Sequence, residues 1–304
     1  MASYTYTAVG NREDLLDIIT NISPDETPLM NKFGRSKVTG MVHSWLTDSL
    51  GNPQQNAVEE GQQFSTTLAT PREKLNNRIQ IFMRDCTVSD SQEAVLKAGV
   101  KSEMAYQLQK TLKMIALDVE YAIVNNNAFT NGTGNTGFIG GAAEVTGTSG
   151  ALMGGIPSFV NSTLTPNNIV TGSTDVTETN LNDAIQKAWA VGGTPDICVV
   201  SGKNKRTISG FTGNASRERS ADSTKVKQIV DVYESDFGLV NMVLHRLQPD
   251  TRIDLLQTEY WKLAYLIPFK TYEKPKDSLM NGKVVTGQLT LECRSPQANA
   301  CITL

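Results

Sequence analysis

Histidine is scarce in this 304-residue chain: only His43 and His245 are present. With so few imidazoles, acid–base and metal chemistry would fall to carboxylates and cysteines. No H-E-x-x-H, G-x-S-x-G, Walker A or Asp-rich calcium loop occurs. The four cysteines, Cys86, Cys198, Cys293 and Cys301, form no C-x-x-C. They read as reduced, buried small hydrophobes, with a Cys293–Cys301 disulfide as the alternative. No run approaches the ~20 apolar residues that cross a bilayer, so no membrane partner is expected. No basic stretch followed by an apolar one opens the chain, which points to synthesis and folding in a cytoplasm. Nor is there a basic excess: 28 Lys and Arg face 31 Asp and Glu, a net charge of −3. That balance argues against holding nucleic acid mainly by counterion release. Catalytic, cofactor-binding and metal-binding residues are therefore all expected to be none.

What is present is a globular composition, 39% hydrophobic and 19% charged. The first 40 residues carry apolar groups without a core of their own. Asn11 can cap a helix bearing Leu15, Leu16, Ile18 and Ile19, which Ser23-Pro24 stops. Pro28 can start a second turn through Leu29, Met30 and Phe33, closed by Gly34. Val38–Asp48 and Leu75–Val88 read as strands, the second with Leu75, Ile79, Ile81 and Met83 on one face. About 25 residues rich in Gln, Asn, Gly and Glu join them, far more than a hairpin needs. That connector is either a surface loop or an arm reaching away from the body.

The strongest periodicity follows. Asp90 with Glu93 resembles a capping box, and Val100, Met104, Leu108, Leu112, Ile115, Val119 and Ala122 recur at spacings of three and four. One helix over 91–127, with Gly99 as its only glycine, would span roughly 55 Å. A compact chain of this size is about 50 Å across. An elongated subunit is the reading, with a coiled coil as the rival. Gly132-x-Gly134-x-x-Gly137 matches a dinucleotide fingerprint but lacks the strand before it and the helix after it that would seat a pyrophosphate. It reads as a turn-rich loop.

Beyond Thr177 the pattern is mixed α/β. A helix capped at Thr177 or Thr179 would face its core with Leu181, Ile185 and Trp189 and end at Gly192-Gly193. Ile197–Val200 has the unbroken apolar run of a buried strand. A helix over 203–211 follows, then strands Ile229–Tyr233 and Leu239–Leu247 joined as a hairpin. Ile253–Leu256, Tyr260–Ile267, Val284–Cys293 and Ala300–Leu304 complete the strands, with Val285, Leu289, Leu291 and Cys293 sharing a face. Lys203, Lys205, Arg206, Arg217, Arg219, Lys225 and Lys227 form a basic cluster without interleaved aromatics. It reads as an exposed loop rather than a nucleic-acid site.

The order of arm, long loop, lone helix, mixed α/β region and returning strands resembles the Hong Kong 97 fold of tailed-phage major capsid proteins. Local motifs carry the resemblance as well. They are Asn11-Arg12-Glu13-Asp14-Leu15, Ile18-Ile19-Thr20-Asn21-Ile22-Ser23-Pro24, Glu26-Thr27-Pro28, His43-Ser44-Trp45 and Thr47-Asp48-Ser49-Leu50. Trp189 with Gly192-Gly193-x-Pro195-Asp196, and Tyr233-Glu234-Ser235-Asp236-Phe237-Gly238, continue the series in order.

The resemblance implies an α+β capsid fold. Its parts would be an N-terminal arm (1–40), an extended β-hairpin loop (41–86), a peripheral domain with a long spine helix (87–165), an axial domain (166–256) and returning peripheral strands (257–304). It implies self-assembly into pentamers and hexamers forming an icosahedral shell around phage double-stranded DNA, without sequence-specific binding, by a protein that is no enzyme. Partners would be further copies, with scaffold, portal and decoration proteins. Because the chain starts close to the matching motif, a scaffold would be a separate protein. The location would be the virion, after assembly in the host bacterial cytoplasm. The alternatives are an encapsulin-like nanocompartment shell and a nucleotide-binding enzyme using the Gly132–Gly137 loop.

Overall fold

The computed structural model describes residues 27–48, 50, 55, 57–63, 72–95, 100, 102–129, 150–172, 175–211, 232–276 and 278–304. Their contacts form two compact units. One holds Met83–Leu117 and Phe269–Thr286, the other Thr27–Phe82, Asp118–Pro268 and Gly287–Leu304. The proposed helix around Leu15, the Gly132–Gly137 loop and the basic residues from Arg217 to Lys227 lie outside the described residues.

In the larger unit, a six-stranded sheet has the order β5-β12-β9-β6-β8-β7. Its strands are β5 (Ile169–Thr171), β6 (Ile197–Val200), β7 (Val232–Ser235), β8 (Gly238–Leu244), β9 (Arg252–Leu256) and β12 (Ala300–Thr303). All four residues of β6 are buried, as its unbroken apolar run requires of a strand covered on both faces. β7 and β8 form the expected hairpin, turning through Asp236 and Phe237 between Ser235 and Gly238. The strand β5 was not foreseen; three residues give too short a pattern to read.

After the short buried helix α4 (Ile156–Phe159), helix α5 (Glu178–Ala190) packs on this sheet through Leu181, Ala184, Ile185 and Ala188. Thr177 caps it, its hydroxyl accepting from Asn180 N–H at 3.2 Å. Trp189, expected on the buried face, is 55% exposed. Steps of four residues advance 400°, so each gains 40° on the axis, and by the second step from Leu181 the side chain has left the stripe. The ring lies against Phe237, centroids 5.3 Å apart. The two glycines that end the helix have separate tasks. Gly192 takes the left-handed φ of +92°, while a Cβ on Gly193 would sit 2.6 Å from the Ala298 backbone. Helix α6 (Gly202–Ser209), capped by Ser201, contributes Ile208 to the same core.

A four-stranded sheet has the order β1-β10-β11-β4, from β1 (Gly34–Lys37), β10 (Trp261–Glu273), β11 (Met280–Cys293) and β4 (Gln80–Ser89). β1 pairs in parallel with β10, Gly34 opposite Lys262. Gly34 thus opens a strand after α1 (Pro28–Lys32) rather than merely closing a turn. β2 (Val42–Thr47) and β3 (Glu73–Arg78) form a separate two-stranded ribbon. The single strand expected over 75–88 is therefore two, β3 and β4, parted at Ile79. The break shifts the alternation by one residue. Leu75 and Ile79 are buried, but Ile81 and Met83 are 55% and 68% exposed, and Phe82, Cys86 and Val88 turn inward instead.

The 37-residue helix is also two helices. α2 (Asp90–Ala94) is capped by Ser89, whose Oγ accepts from Gln92 N–H at 3.2 Å, and ends at Val95 in extended backbone. Glu93, expected to cap its own helix, instead accepts from the N–H groups of Glu103 and Met104 at 3.0 and 3.3 Å. It caps α3 (Glu103–Asn125), whose 23 residues span roughly 35 Å. Gly99, the costliest residue for a continuous helix, falls in the stretch between them. All four cysteines are free and buried, so the Cys293–Cys301 disulfide does not form. Burial pushes the Cys198, Cys293 and Cys301 thiols up in pKa.

Gly193→Ala tests the close approach at the end of α5. The added methyl should cost about 1–3 kcal/mol through overpacking, read as a shift in urea midpoint with unchanged slope. An unchanged midpoint would show that the Ala298 backbone yields freely.

Candidate functional site at the loop root

The two histidines, the natural candidates for acid–base chemistry, both belong to structural clusters. His245 is buried and its ring uses both nitrogens. Leu247 N–H donates to Nδ1 at 3.1 Å, which leaves the proton on Nε2 to reach Glu120 Oε1 at 3.0 Å. Glu120, on α3 and fully buried, also accepts from Leu29 N–H at 2.8 Å and Met30 N–H at 3.0 Å. Those are first-turn amides of α1, where Thr27 makes no side-chain cap. A buried carboxylate costs several kcal/mol of desolvation, and three hydrogen bonds to its two oxygens offset that cost. Glu120 thereby fixes the start of α1 against α3.

The ribbon β2–β3 has two distinct faces. Its register pairs His43 with Asn77, Trp45 with Leu75 and Thr47 with Glu73 on one side. The other side carries Val42, Ser44 and Leu46 against Arg78, Asn76 and Lys74. The first face grips three consecutive residues of β11. Asn77 Nδ2 donates to Leu291 O at 2.7 Å, His43 Nε2 meets Glu292 Oε2 at 3.2 Å, and Trp45 Nε1 donates to Cys293 O at 2.8 Å. Residues two apart on a strand turn their carbonyls the same way. Side chains of the ribbon thus occupy the row of acceptors that another strand would take.

Glu292 joins more than the ribbon. Its carboxylate also receives Ser36 Oγ at 3.0 Å and Arg294 Nε at 2.8 Å, so β1, β2 and the end of β11 meet on one group. Burial alone would raise its pKa. The hydrogen bonds from Arg294, Ser36 and His43, with the Arg294 charge, outweigh that and hold it below the ordinary 4.5. An aromatic chain runs beneath: Phe33 stacks on Trp261 at 5.6 Å, Trp261 meets Phe159 edge-on at 5.9 Å, and Phe159 meets Trp45 at 5.8 Å. Such pairs contribute about 0.5–1.5 kcal/mol each beyond their burial.

The ribbon is firmly rooted, and its outer residues are bare. Leu46 is 64%, Leu50 98% and Val58 70% exposed. Glu59–Gln62 forms a tight turn, Gln62 N–H donating to Glu59 O at 3.2 Å, with Gly61 at positive φ. Arg72 and Asp48 pair at 3.4 Å across the neck, both exposed, and add little stability. Large exposed apolar groups on a polar extension mark an interaction surface.

Of the basic cluster, Lys203, Lys205 and Arg206 lie on α6, and Lys203 pairs with Asp175 at 3.0 Å. Among the described residues no group of three or more His, Cys, Asp or Glu is placed to hold a metal. Sequence reasoning missed Glu120, Asn77 and Glu292. The signal available was a polar residue at a buried phase, as in Leu75-x-Asn77-x-Ile79.

The lowered Glu292 pKa sets a pH dependence. A carboxylate whose folded pKa lies below its unfolded one stabilises the fold above the unfolded value and loses that contribution as pH falls through the folded value. Glu292→Gln should cost about 1–3 kcal/mol at pH 7, and the gap to the native chain should shrink below pH ~4. Urea unfolding at both pH values checks this; a gap that stays constant would contradict it.

Comparison with known proteins agrees over the whole chain. Residues 2–304 match the family model described as SU10 major capsid protein. The major capsid protein of Escherichia phage Phieco32 is 22% identical over 338 residues, covering 98% of this chain and 95% of that one. Among solved structures, the capsid of the native GTA particle superposes with a TM-score of 0.67 at 11% identity, covering 99% and 96% of the two chains. The capsid of cyanophage Pam1 gives 0.63 at 10% identity, covering 100% and 99%. These likenesses establish the α+β Hong Kong 97-type capsid fold, and the chain belongs to the SU10 major capsid protein family.

Proposed function

We propose that copies of this phage major capsid protein assemble into pentamers and hexamers, which close an icosahedral shell around double-stranded DNA. The division into arm (1–40), extended loop (41–86), peripheral domain (87–165 with 257–304) and axial domain (166–256) belongs to this reading. The observation that carries it is the loop itself. Its root is locked by side chains of β2 and β3 to Leu291, Glu292 and Cys293, while among the described residues Leu46, Leu50 and Val58 stand largely exposed. Burying such residues needs a second copy, and obligate interfaces are where apolar groups of this kind end.

The shell role asks for no chemistry at an active centre, and we read the chain as structural, not enzymatic. The net charge of −3 fits a wall that encloses DNA without attracting it strongly. Assembly would take place in the host cytoplasm with scaffold and portal proteins as partners. Decoration proteins accompany the major capsid proteins of phage G, a solved relative of the fold. Equivalent partners are part of this proposal.

Sedimentation of the purified full chain, with negative-stain microscopy, tests assembly. Megadalton shells or discrete capsomers are expected. A monomer at every concentration, salt and pH tried would contradict the reading, as would saturable nucleotide binding by a small oligomer.

A further inference from the structure

Asn77 stands out among the buried polar groups. Its side chain is fully buried, and all of its hydrogen-bonding capacity is used. Nδ2 donates to Gly154 O at 3.0 Å and to Leu291 O at 2.7 Å. Oδ1 accepts from Gly154 N–H at 2.8 Å and from Arg78 N–H at 2.9 Å. The amide therefore pairs with Gly154 as a peptide group in a sheet would. It ties β3 to two segments that lie 77 and 214 residues away in sequence. Gly154 also packs closely on its other side, where a Cβ would sit 2.6 Å from Ser158 Oγ; toward Asn77 Oδ1 it would lie at 3.4 Å. No other side chain of this size offers two donors and a two-fold acceptor. Aspartate keeps the acceptors and loses both donors, and leucine keeps neither.

Two anchor points matter mechanically. A two-stranded ribbon is marginally stable alone and does not hold its own direction. His43 and Trp45 already hold the root to Glu292 and Cys293 of β11. Asn77 adds Leu291 of the same strand and, through Gly154, a second segment, which constrains the tilt about that line of contacts. Chain length bounds the lever: twelve residues from Asp48 to Glu60 reach at most about 40 Å. A 10° tilt at the root would move the far end by at most about 7 Å at that limit.

We propose that Asn77 is the positioning residue of the loop: its amide fixes the tilt of the ribbon and thereby sets where residues 50–63 meet a neighbouring copy. This rests on the reading that the loop covers a neighbour. The placement is made before assembly, within the single chain, so the loop arrives preorganised and its interface is spared much of the ordering cost.

The test uses the full chain with spin labels at Val58→Cys and Gln186→Cys; the native cysteines are buried and do not compete. Distances are measured on unassembled protein, and shell yield is measured separately. The chain with Asn77 should give a narrow distribution. Asn77→Asp and Asn77→Ala should each widen it at least twofold and lower the yield of closed shells at least tenfold. Ile302→Val, a core change away from the ribbon, should alter neither, which separates positioning from general stability.

Unchanged width in folded Asn77 variants would overturn the proposal. Should both variants fail to fold, hydrogen exchange on the unaltered chain decides. Peptides over 73–80 and 150–156 should exchange at least a hundredfold more slowly than 57–63, and equal rates would overturn it. A chain with residues 57–63 replaced by Gly and Ser separates the two levels. If it closes shells normally, the neighbour-contact reading fails. If it does not, yet Asn77→Asp closes normal shells with a widened distribution, the assignment of Asn77 fails alone.

Discussion

The backbone of Leu291–Cys293 offers carbonyls that a further strand could pair, and instead side chains from an approaching ribbon take them. Much else in the larger unit depends on this substitution. Were β2 or β3 to pair there directly, the ribbon would become another strand of the sheet and its outer face would be buried in its own chain. Because Asn77 and Trp45 reach across with side chains, the ribbon remains a separate two-stranded element. It can leave the body while still being fixed to it. The aromatic chain from Phe33 through Trp261 and Phe159 to Trp45 fills the space this arrangement opens.

Polar groups inside a core are a costly way to gain stability, and replacing them with well-packed apolar ones is often neutral or better. Their value is directional. Glu120 accepts from the N–H groups of Leu29 and Met30, so α1 is held at one register on α3. Glu292 gathers Ser36, His43 and Arg294, so β1 and β2 keep one relation to β11. Apolar packing alone would tolerate slippage at each place. A subunit that must meet many identical neighbours in one geometry has reason to accept that cost.

How much of this was legible in the sequence depends on the kind of signal. Long or unbroken apolar patterns read well: β6, α5 apart from the exposed Trp189, the β7–β8 hairpin and the inward face of Val285, Leu289, Leu291 and Cys293 stand as expected. Patterns that continue through a break misled. The stripe before and after Gly99 kept helical spacing, but Glu93 caps a new helix and α3 starts at Glu103. Ile79 likewise sits between two strands whose alternations are out of phase, which a period-two reading across it cannot detect. The candidate site was the least legible part. Asn77, Glu120 and Glu292 each take their meaning chiefly from distant partners, 90 residues away for Glu120 and Met30 and 256 for Glu292 and Ser36, and one sequence does not record such pairings. Family motifs supplied the fold and the subunit's role without identifying any of these groups.

The central claim is that the rooted, bare-tipped loop completes its burial on another copy. A cryo-electron microscopy map of the assembled shell tests this most directly, by the environment of Leu50 and Val58. The account predicts that both lie buried against an adjacent subunit, with the Asn77 contacts to Gly154 and Leu291 retained. A closed shell in which both side chains remain in solvent, or in which the ribbon has swung off Leu291–Cys293, would contradict it.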